Sequence, residues 1–192
     1  FQAFNSDCES EKFQVDVTII QVDTAVTVND TICAGELDGT VSATANNSNA
    51  ILWYDAPTGG NLLFTGNNYT PVPPPNATTT YYAQNQLLTC PSEVRTPATL
   101  VVNQIPSAPL ISGPTEICDG DSLILSSTTV PAELTTIWYA RDEGLSPLPQ
   151  DDNYIELLRA DSIVIHNIIT DTSFFAQAIG SFGCVSNLTQ HN

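Results

Sequence analysis

The sequence predicts an all-β protein built from tandem β-sandwich modules. Three observations predict it: an internal repeat, short segments in which apolar and polar residues alternate, and closely spaced turn signals. Alternation with a period of two is typical of half-buried strands, and residues 40–45 and 123–127 show it. No segment shows a helical period that would argue for a different class.

The repeat consists of two segments that align at four separate points. Each begins with Ile-Cys-x-Gly and an acidic residue, at 32–36 and 117–121, and each continues with Trp-Tyr, at 53–54 and 138–139. An aromatic pair with Ala-Gln follows at 81–84 and 174–177, and a Cys-x-Ser follows at 90–92 and 184–186. Cys33 to Trp53 and Cys118 to Trp138 are both 20 positions. Chance agreement at four points is improbable, so we interpret the segments as two modules.

A partial third copy stands at the amino end. Phe1-Gln2-Ala3 and Cys8-Glu9-Ser10 match the aromatic and Cys-x-Ser points of the repeat, and Phe1 begins without Met or a signal-peptide pattern. We therefore expect a fragment of a longer protein. Residues 1–21 are predicted to be the C-terminal end of a preceding module, and 22–104 a complete module. Residues 105–192 are predicted to be a second module with too few residues after its last Cys for the closing strand.

The charge balance excludes some partners. Four basic residues stand against 21 acidic ones, for a net charge of −17. Such a field repels phosphate backbones and anionic lipid surfaces, so we expect no nucleic acid partner. No apolar stretch reaches the length that spans a bilayer, so we expect no membrane insertion.

Five cysteines remain to be assigned. The repeat register pairs Cys33 with Cys90 and Cys118 with Cys184, and leaves Cys8 for a residue outside the fragment. Disulfides imply an oxidising, extracytoplasmic compartment. Metal binding is the alternative, but the sequence has no CxxC or HxxxH spacing.

The first repeat resembles a known family. The run Leu52-Trp53-Tyr54-Asp55-Ala56-Pro57-Thr58-Gly59-Gly60, with Thr79-Thr80-Tyr81-Tyr82-Ala83 and Cys90-Pro91-Ser92, is similar to the immunoglobulin-like repeats of large Bacteroidetes cell-surface proteins. The resemblance implies tandem immunoglobulin-like β-sandwich modules in very long adhesins. It also implies export by the type IX secretion system and a link to gliding or polymer attachment. The second repeat lacks the Thr-Gly-Gly turn.

The aromatic residues are predicted core anchors. These are Trp53, Trp138, Tyr82 and Phe175; exposed tryptophans that stack on a ligand are the alternative. The cysteines depart from the antibody pattern, in which both lie mid-strand across the sandwich. We therefore expect each bridge to staple one end of a module rather than its core.

The sequence offers little chemistry for catalysis. His166 and His191 are the only histidines, and neither has an equivalent in the first repeat. No nucleophile elbow, phosphate loop or zinc triplet is present, so we predict that the protein is not an enzyme and needs no cofactor. Hard oxygen donors form two weak calcium candidates, whose alternative is a turn and a solvated loop: Asp119 with Asp121, and Asp151 with Asp152.

Four tripeptides of the form Asp-Ser/Thr-apolar resemble the O-glycosylation signal of Bacteroidetes. Their hydroxyl residues are Thr24, Thr31, Ser122 and Ser162. Asp followed by Ser or Thr is also a common turn start, so a purely structural origin is the alternative.

These inferences lead to one functional prediction and one alternative. We predict a non-catalytic stalk or display segment of a large secreted adhesin at the cell surface, serving adhesion and in some settings gliding motility. Its expected partners are neighbouring modules, surface polysaccharide, and outer-membrane or secretion proteins. The alternative is a carbohydrate- or protein-binding accessory module of a secreted hydrolase, which an exposed aromatic platform would favour.

Overall fold

The structure, a computed structural model, describes residues 12–48, 50–129, 134–141, 154–169, 171–180 and 182–191. Over these residues it contains β-strands and no helix, which confirms the predicted all-β class. The described residues form two compact units. The first comprises 12–29, Thr40–Thr70 and Thr80–Thr99; the second comprises Asp30–Gly39, Pro71–Thr79 and the residues from Leu100 onward.

Two sheets build the first unit. The smaller is antiparallel, with β3 central: β1 (Val26–Val28), β3 (Val41–Thr44) and β6 (Asn68–Tyr69). The larger has the order β9-β7-β4-β5, with β8 paired to β7. Its strands are β4 (Ala50–Tyr54), β5 (Leu62–Thr65), β7 (Thr79–Leu87), β8 (Cys90–Pro91) and β9 (Thr96–Asn103).

Aromatic side chains hold these two sheets together. Trp53 of β4 stacks on Tyr69 of β6 with ring centroids 6.0 Å apart, and Tyr81 of β7 meets Tyr69 edge-on at 5.0 Å. The Trp53 Nε1 donates to the carbonyl of Gly66 at 2.9 Å, so the polar atom of this buried ring is satisfied. Desolvation raises the pKa of both Tyr69 and Tyr81, so both hydroxyls stay neutral at physiological pH.

The second unit is also a sandwich of two antiparallel sheets. One holds β10 (Leu110–Ser112), β11 (Leu123–Thr128) and β14 (Ser162–Ile165). The other has the order β13-β12-β15-β16, from β12 (Thr135–Arg141), β13 (Tyr154–Arg159), β15 (Phe174–Ile179) and β16 (Thr189–His191). Leu123, Leu125 and Ile163 from the first sheet form one core cluster with Trp138, Phe174 and Ala176 from the second. The Trp138 Nε1 donates to the carbonyl of Ala160 at 2.8 Å, as Trp53 does to its own partner.

A parallel pairing completes the second unit: β2 (Asp30–Cys33) lies beside residues 100–103 of β9. The segment after Cys184, expected to be too short for a closing strand, contains the three-residue β16, which pairs with β15. At the amino end, residues 13–20, which follow Cys8 as residues 96–102 of β9 follow Cys90, form no strand. Their apolar side chains are exposed, with Ile19 at 85%.

Candidate functional site

Cys33 is fixed at the end of a paired strand in the second unit. The register of β2 on β9 sets Cys33 opposite Asn103. The N–H of Ala34 donates to the carbonyl of Asn103 at 2.8 Å. The chain then turns, and the N–H of Glu36 donates to the carbonyl of Cys33 at 3.1 Å. The Glu36 carboxylate in turn accepts the N–H of Cys33 at 2.7 Å. These bonds hold the backbone of the cysteine in one conformation.

Cys184 reaches the same place from the loop between β15 and β16. Its side chain is buried, and its Sγ lies 4.0 Å from the carbonyl oxygen of Asn103. Cys33 and Cys184 form a disulfide with their Cα atoms 5.6 Å apart, in the range that such bonds require. Cys90 and Cys118 are free thiols, the first half-buried and the second exposed.

The predicted Cys33–Cys90 pair is therefore wrong, and β9 gives the reason. Cys90 comes before Thr96, the first residue of this strand, whereas Cys33 lies opposite Asn103, the last. Seven steps of extended strand cover roughly 23 Å. A disulfide needs Cα atoms within about 7 Å of each other.

The predicted Cys118–Cys184 pair is wrong because the sulfur of Cys184 is already bonded to Cys33. Cys118 keeps its thiol on the surface of the second unit. The repeat shows that Cys33 is equivalent to Cys118 and that Cys90 is equivalent to Cys184. It does not show which of these cysteines bond to each other. Cys8, whose partner was expected outside the fragment, lies outside the described residues.

The repeated aromatic residues lie mainly in the interior. Trp53 and Trp138 are both 0% exposed, so neither ring is available to stack on a ligand. Phe175 is buried as well. The structure corrects one anchor: Tyr81 is buried, whereas Tyr82 is only half-buried, because successive side chains of β7 point to opposite faces.

Arg95 is a structural residue that the sequence reasoning missed. Its guanidinium lies 3.3 Å from the centroid of the Tyr54 ring, in cation–π geometry. Its Nη1 donates to the carbonyls of Ala56 and Gly59 at 2.7 and 2.6 Å. Arg95 thus covers one aromatic face and ties down the turn after β4. The available signal was its scarcity, since the chain has only four basic residues.

The same turn depends on Asp55. Its carboxylate accepts the backbone N–H of Asn61 at 2.7 Å and the side-chain amide of Asn61 at 2.8 Å. These two hydrogen bonds, the backbone one first, lower the pKa of Asp55. Gly60 has a φ of 69°, and a Cβ there would lie 2.8 Å from the Cβ of Ala56 and overlap the Asp55 carboxylate. The Asp and Gly of this motif are therefore requirements of the hairpin.

The four candidate glycosylation residues are exposed: Thr24, Thr31, Ser122 and Ser162. The apolar third residue of each tripeptide is buried, and these are Ala25, Ile32, Leu123 and Ile163. Side chains that alternate along an extended backbone give this arrangement and leave the hydroxyl accessible. The Ser122 hydroxyl lies 2.8 Å from Nδ1 of His166, so it has a defined partner.

The calcium candidates fall in two places. Asp119 and Asp121 are exposed in the turn after Cys118, where the N–H of Asp121 donates to the Cys118 carbonyl at 3.0 Å. Asp151 and Asp152 lie outside the described residues. Within the part of the chain that the structure describes, no three His, Cys, Asp or Glu side chains come together as metal ligands would.

The second unit contains an open pocket of 680 Å³. Glu116, Asp171 and His191 line it beside apolar residues that include Phe174. His191 Nε2 lies 3.0 Å from the carbonyl oxygen of Pro114, which also lines the pocket. A concave site with mixed lining is what a small polar ligand would require.

The comparisons with known proteins agree with this architecture. Two regions of the chain, residues 22–103 and 106–192, match the family model described as "Ig-like domain CHU_C associated". No curated protein matches the sequence. Ig-like domains are typically non-catalytic modules. Among the described residues, no helix is long and apolar enough to cross a membrane.

Two solved structures are among those to which the chain shows a distant similarity. One is the crystal structure of the FN1-FN3 domains of chicken CNTN1, with 12% identity over 99% of this chain and 72% of that chain and a TM-score of 0.45. The other contains fibronectin(III)-like modules of Clostridium thermocellum CbhA, with 12% identity over 87% of this chain and 91% of that chain and a TM-score of 0.41. The assignment itself depends on the family model, which matches most of the chain. This chain belongs to the CHU_C-associated family of Ig-like domains and holds two of them in tandem.

Proposed function

We propose that this segment is a stalk that carries tension in a large secreted bacterial cell-surface adhesin. The observation that carries the proposal is the Cys33–Cys184 bond, which joins the first sequence repeat to the second across a sequence separation of 151. In a chain pulled from both ends, a covalent bridge carries the tension, and the residues that it encloses are not stretched.

The surface chemistry supports a spacer more than a lectin. Both tryptophans are buried, and Arg95 covers a face of Tyr54, so these residues offer no aromatic platform. The net charge of −17 keeps neighbouring chains apart in solution. In this proposal the segment lies outside the cell, exported by the type IX secretion system. Its partners are adjacent Ig-like modules, surface polysaccharide and outer-membrane proteins, and gliding motility is one use of such an adhesin.

Single-molecule force spectroscopy on the chain held by its two ends tests the proposal. While the bridge is intact, only about a fifth of the 192 residues lie outside it and can extend. Reduction with dithiothreitol should add roughly 500 Å of contour length, since an extended chain covers about 3.3–3.6 Å per residue.

Two variants give the controls. The Cys33→Ser chain should extend fully without reductant, and the Cys118→Ser chain should behave as the unaltered one. An oxidised, unaltered chain that extends to its full length before any reduction would contradict the proposal that the bridge carries the tension.

The pocket of the second unit favours one other function, an accessory module that binds carbohydrate for a secreted hydrolase. Affinity electrophoresis in gels that contain soluble plant or microbial polysaccharides tests it. Retardation that disappears in Asp171→Asn would establish the binding module. Unchanged migration in every gel would leave the stalk as the better account.

We also propose O-glycosylation at one or more of Thr24, Thr31, Ser122 and Ser162, because all four are exposed in the motif that the modification requires. Intact-mass measurement on protein from the native organism should find hexose-type additions. An unmodified mass from that source would disprove the proposal.

A further inference from the structure

Cys33 and Cys118 occupy the same local structure in the two repeats. Each is followed after one residue by a glycine with positive φ, Gly35 at 90° and Gly120 at 79°. The cysteine carbonyl accepts the N–H of the residue after that glycine, at 3.1 Å in the first repeat and 3.0 Å in the second. We call Cys33 and Cys118 the turn cysteines.

Cys90 and Cys184 are equivalent in the same sense. Two residues after each, a serine N–H donates to a carbonyl of the preceding strand: Ser92 to Asn85 at 2.8 Å and Ser186 to Ala178 at 2.9 Å. The carbonyl of that serine accepts from a glutamine side chain in both repeats, Gln84 and Gln177. We call Cys90 and Cys184 the hairpin cysteines.

The observed disulfide joins a turn cysteine to a hairpin cysteine of the next repeat. It links Cys33 of the first repeat with Cys184 of the second, while one cysteine of each kind, Cys118 and Cys90, keeps a free thiol. The bonding rule is therefore not two cysteines within one module. It is the turn cysteine of one module with the hairpin cysteine of the module that follows.

We propose that Cys118 and Cys90 are linkage sites for further modules of this kind. Where another module follows, Cys118 bonds to its hairpin cysteine; where one precedes, Cys90 bonds to its turn cysteine. A tandem array would then be laced by one disulfide at every junction. Each bond forms by thiol–disulfide exchange. Two cysteine thiols lose two protons and two electrons, and an external disulfide takes these up and is reduced to two thiols.

Insertion of one extra module tests the rule. A second copy of residues 22–104 is placed directly after Gln104, where its Val22 follows a glutamine as it does in the chain itself, after Gln21. The protein is folded with a glutathione redox pair as the source of the external disulfide. The rule gives two bonds: original Cys33 to the inserted copy's Cys90, and the inserted copy's Cys33 to Cys184. Original Cys90 and Cys118 should stay thiols.

Tryptic digestion shows which segments of the chain are linked, because trypsin cleaves only after the four Lys and Arg residues. These are Lys12, Arg95, Arg141 and Arg159. The original Cys33 and Cys90 lie on peptide 13–95, Cys118 on 96–141 and Cys184 on 160–192, and the inserted module gives a peptide of different mass. After thiol alkylation and non-reducing digestion, the expected product is one linked species of peptide 13–95, the inserted peptide and peptide 160–192. Fragment-ion sequencing of peptide 13–95 should place the alkyl group on Cys90 and the bond on Cys33.

Several results would overturn the proposal. They are a bond within peptide 13–95 or within the inserted peptide, a bond between 96–141 and 160–192, or an inserted module that keeps both thiols. The inserted copy with Cys33→Ser is the matched control and should leave Cys184 alkylated. If the longer chain does not fold, Cys33→Ser in the unaltered chain decides: Cys118 and Cys184 should both stay thiols, and a bond between them would refute the rule.

Discussion

Gly60 occupies a position in the turn after β4 that tolerates no side chain. Two independent constraints act there: a positive φ of 69°, which L residues rarely adopt, and a site for Cβ that neighbouring atoms already fill. Gly59, its neighbour, has a similar φ of 62° but open space around it. The Asp-x-x-x-Gly-Gly part of the first repeat is thus explained by the geometry of one tight turn, which Asp55 and Arg95 hold through hydrogen bonds.

The two glycines allow backbone strain and steric overlap to be separated. Gly59→Ala should lower the free energy of unfolding by about 1 kcal/mol, the cost of a left-handed conformation. Gly60→Ala should lower it by about 2–4 kcal/mol, because overlap with its neighbours adds to that strain. Urea denaturation followed by tryptophan fluorescence measures both. Equal effects of the two variants would show that the overlap relaxes without cost.

The strands show how far local pattern determines an element. The alternating segment 40–45 contains β3, and the alternating segment 123–127 forms β11, which extends one residue further. Alternation suffices where one face of a strand is buried. It could not identify the buried member of Tyr81-Tyr82, because two adjacent aromatic residues satisfy the pattern in either register. The segment 13–20 alternates as well but forms no strand. A strand needs a neighbouring strand for its backbone hydrogen bonds, and alternation alone does not show whether one is present.

At the same scale, the repeated Trp bonds a strand of each sandwich to a turn between two other strands. Trp138→Phe removes the hydrogen bond to Ala160 and part of the volume at the centre of the second core. We expect a loss of about 2–3 kcal/mol, from an unmade hydrogen bond near 1 kcal/mol and a residual cavity. Phe182→Leu, at a side chain that is 73% exposed, is the control and should change stability by less than about 0.5 kcal/mol. Circular dichroism during urea denaturation compares the two, and equal losses would argue against a core role for the ring.

Across the whole molecule, the disulfide is the feature that the sequence could not predict. The repeat makes two pairings equally consistent with spacing: turn and hairpin cysteine within one module, or turn cysteine with the hairpin cysteine of the next. The structure rules out the first, because Cys33 lies opposite the last residue of β9 whereas Cys90 precedes the first residue of that strand. Long-range pairing is a property of the folded topology, whereas the composition and the repeat already determined the class, the tandem organisation and the equivalence of the cysteines.

The size of the enclosed loop sets the last prediction. A bridge that spans 151 residues restricts the unfolded chain strongly, and the chain-entropy model assigns it about 5 kcal/mol. Cys33→Ser should therefore lower the free energy of unfolding by up to about 5 kcal/mol, and Cys184→Ser should do the same, because either change removes the same bond. Cys90→Ser and Cys118→Ser remove thiols that are free in this chain. These two variants should therefore change the free energy of unfolding by less than about 0.5 kcal/mol. Urea denaturation with and without dithiothreitol gives the comparison: reductant should bring the unaltered chain to the stability of Cys33→Ser and leave that variant unchanged. An unaltered chain that is equally stable in both conditions would show that the bridge, whatever load it carries, does not stabilise the fold.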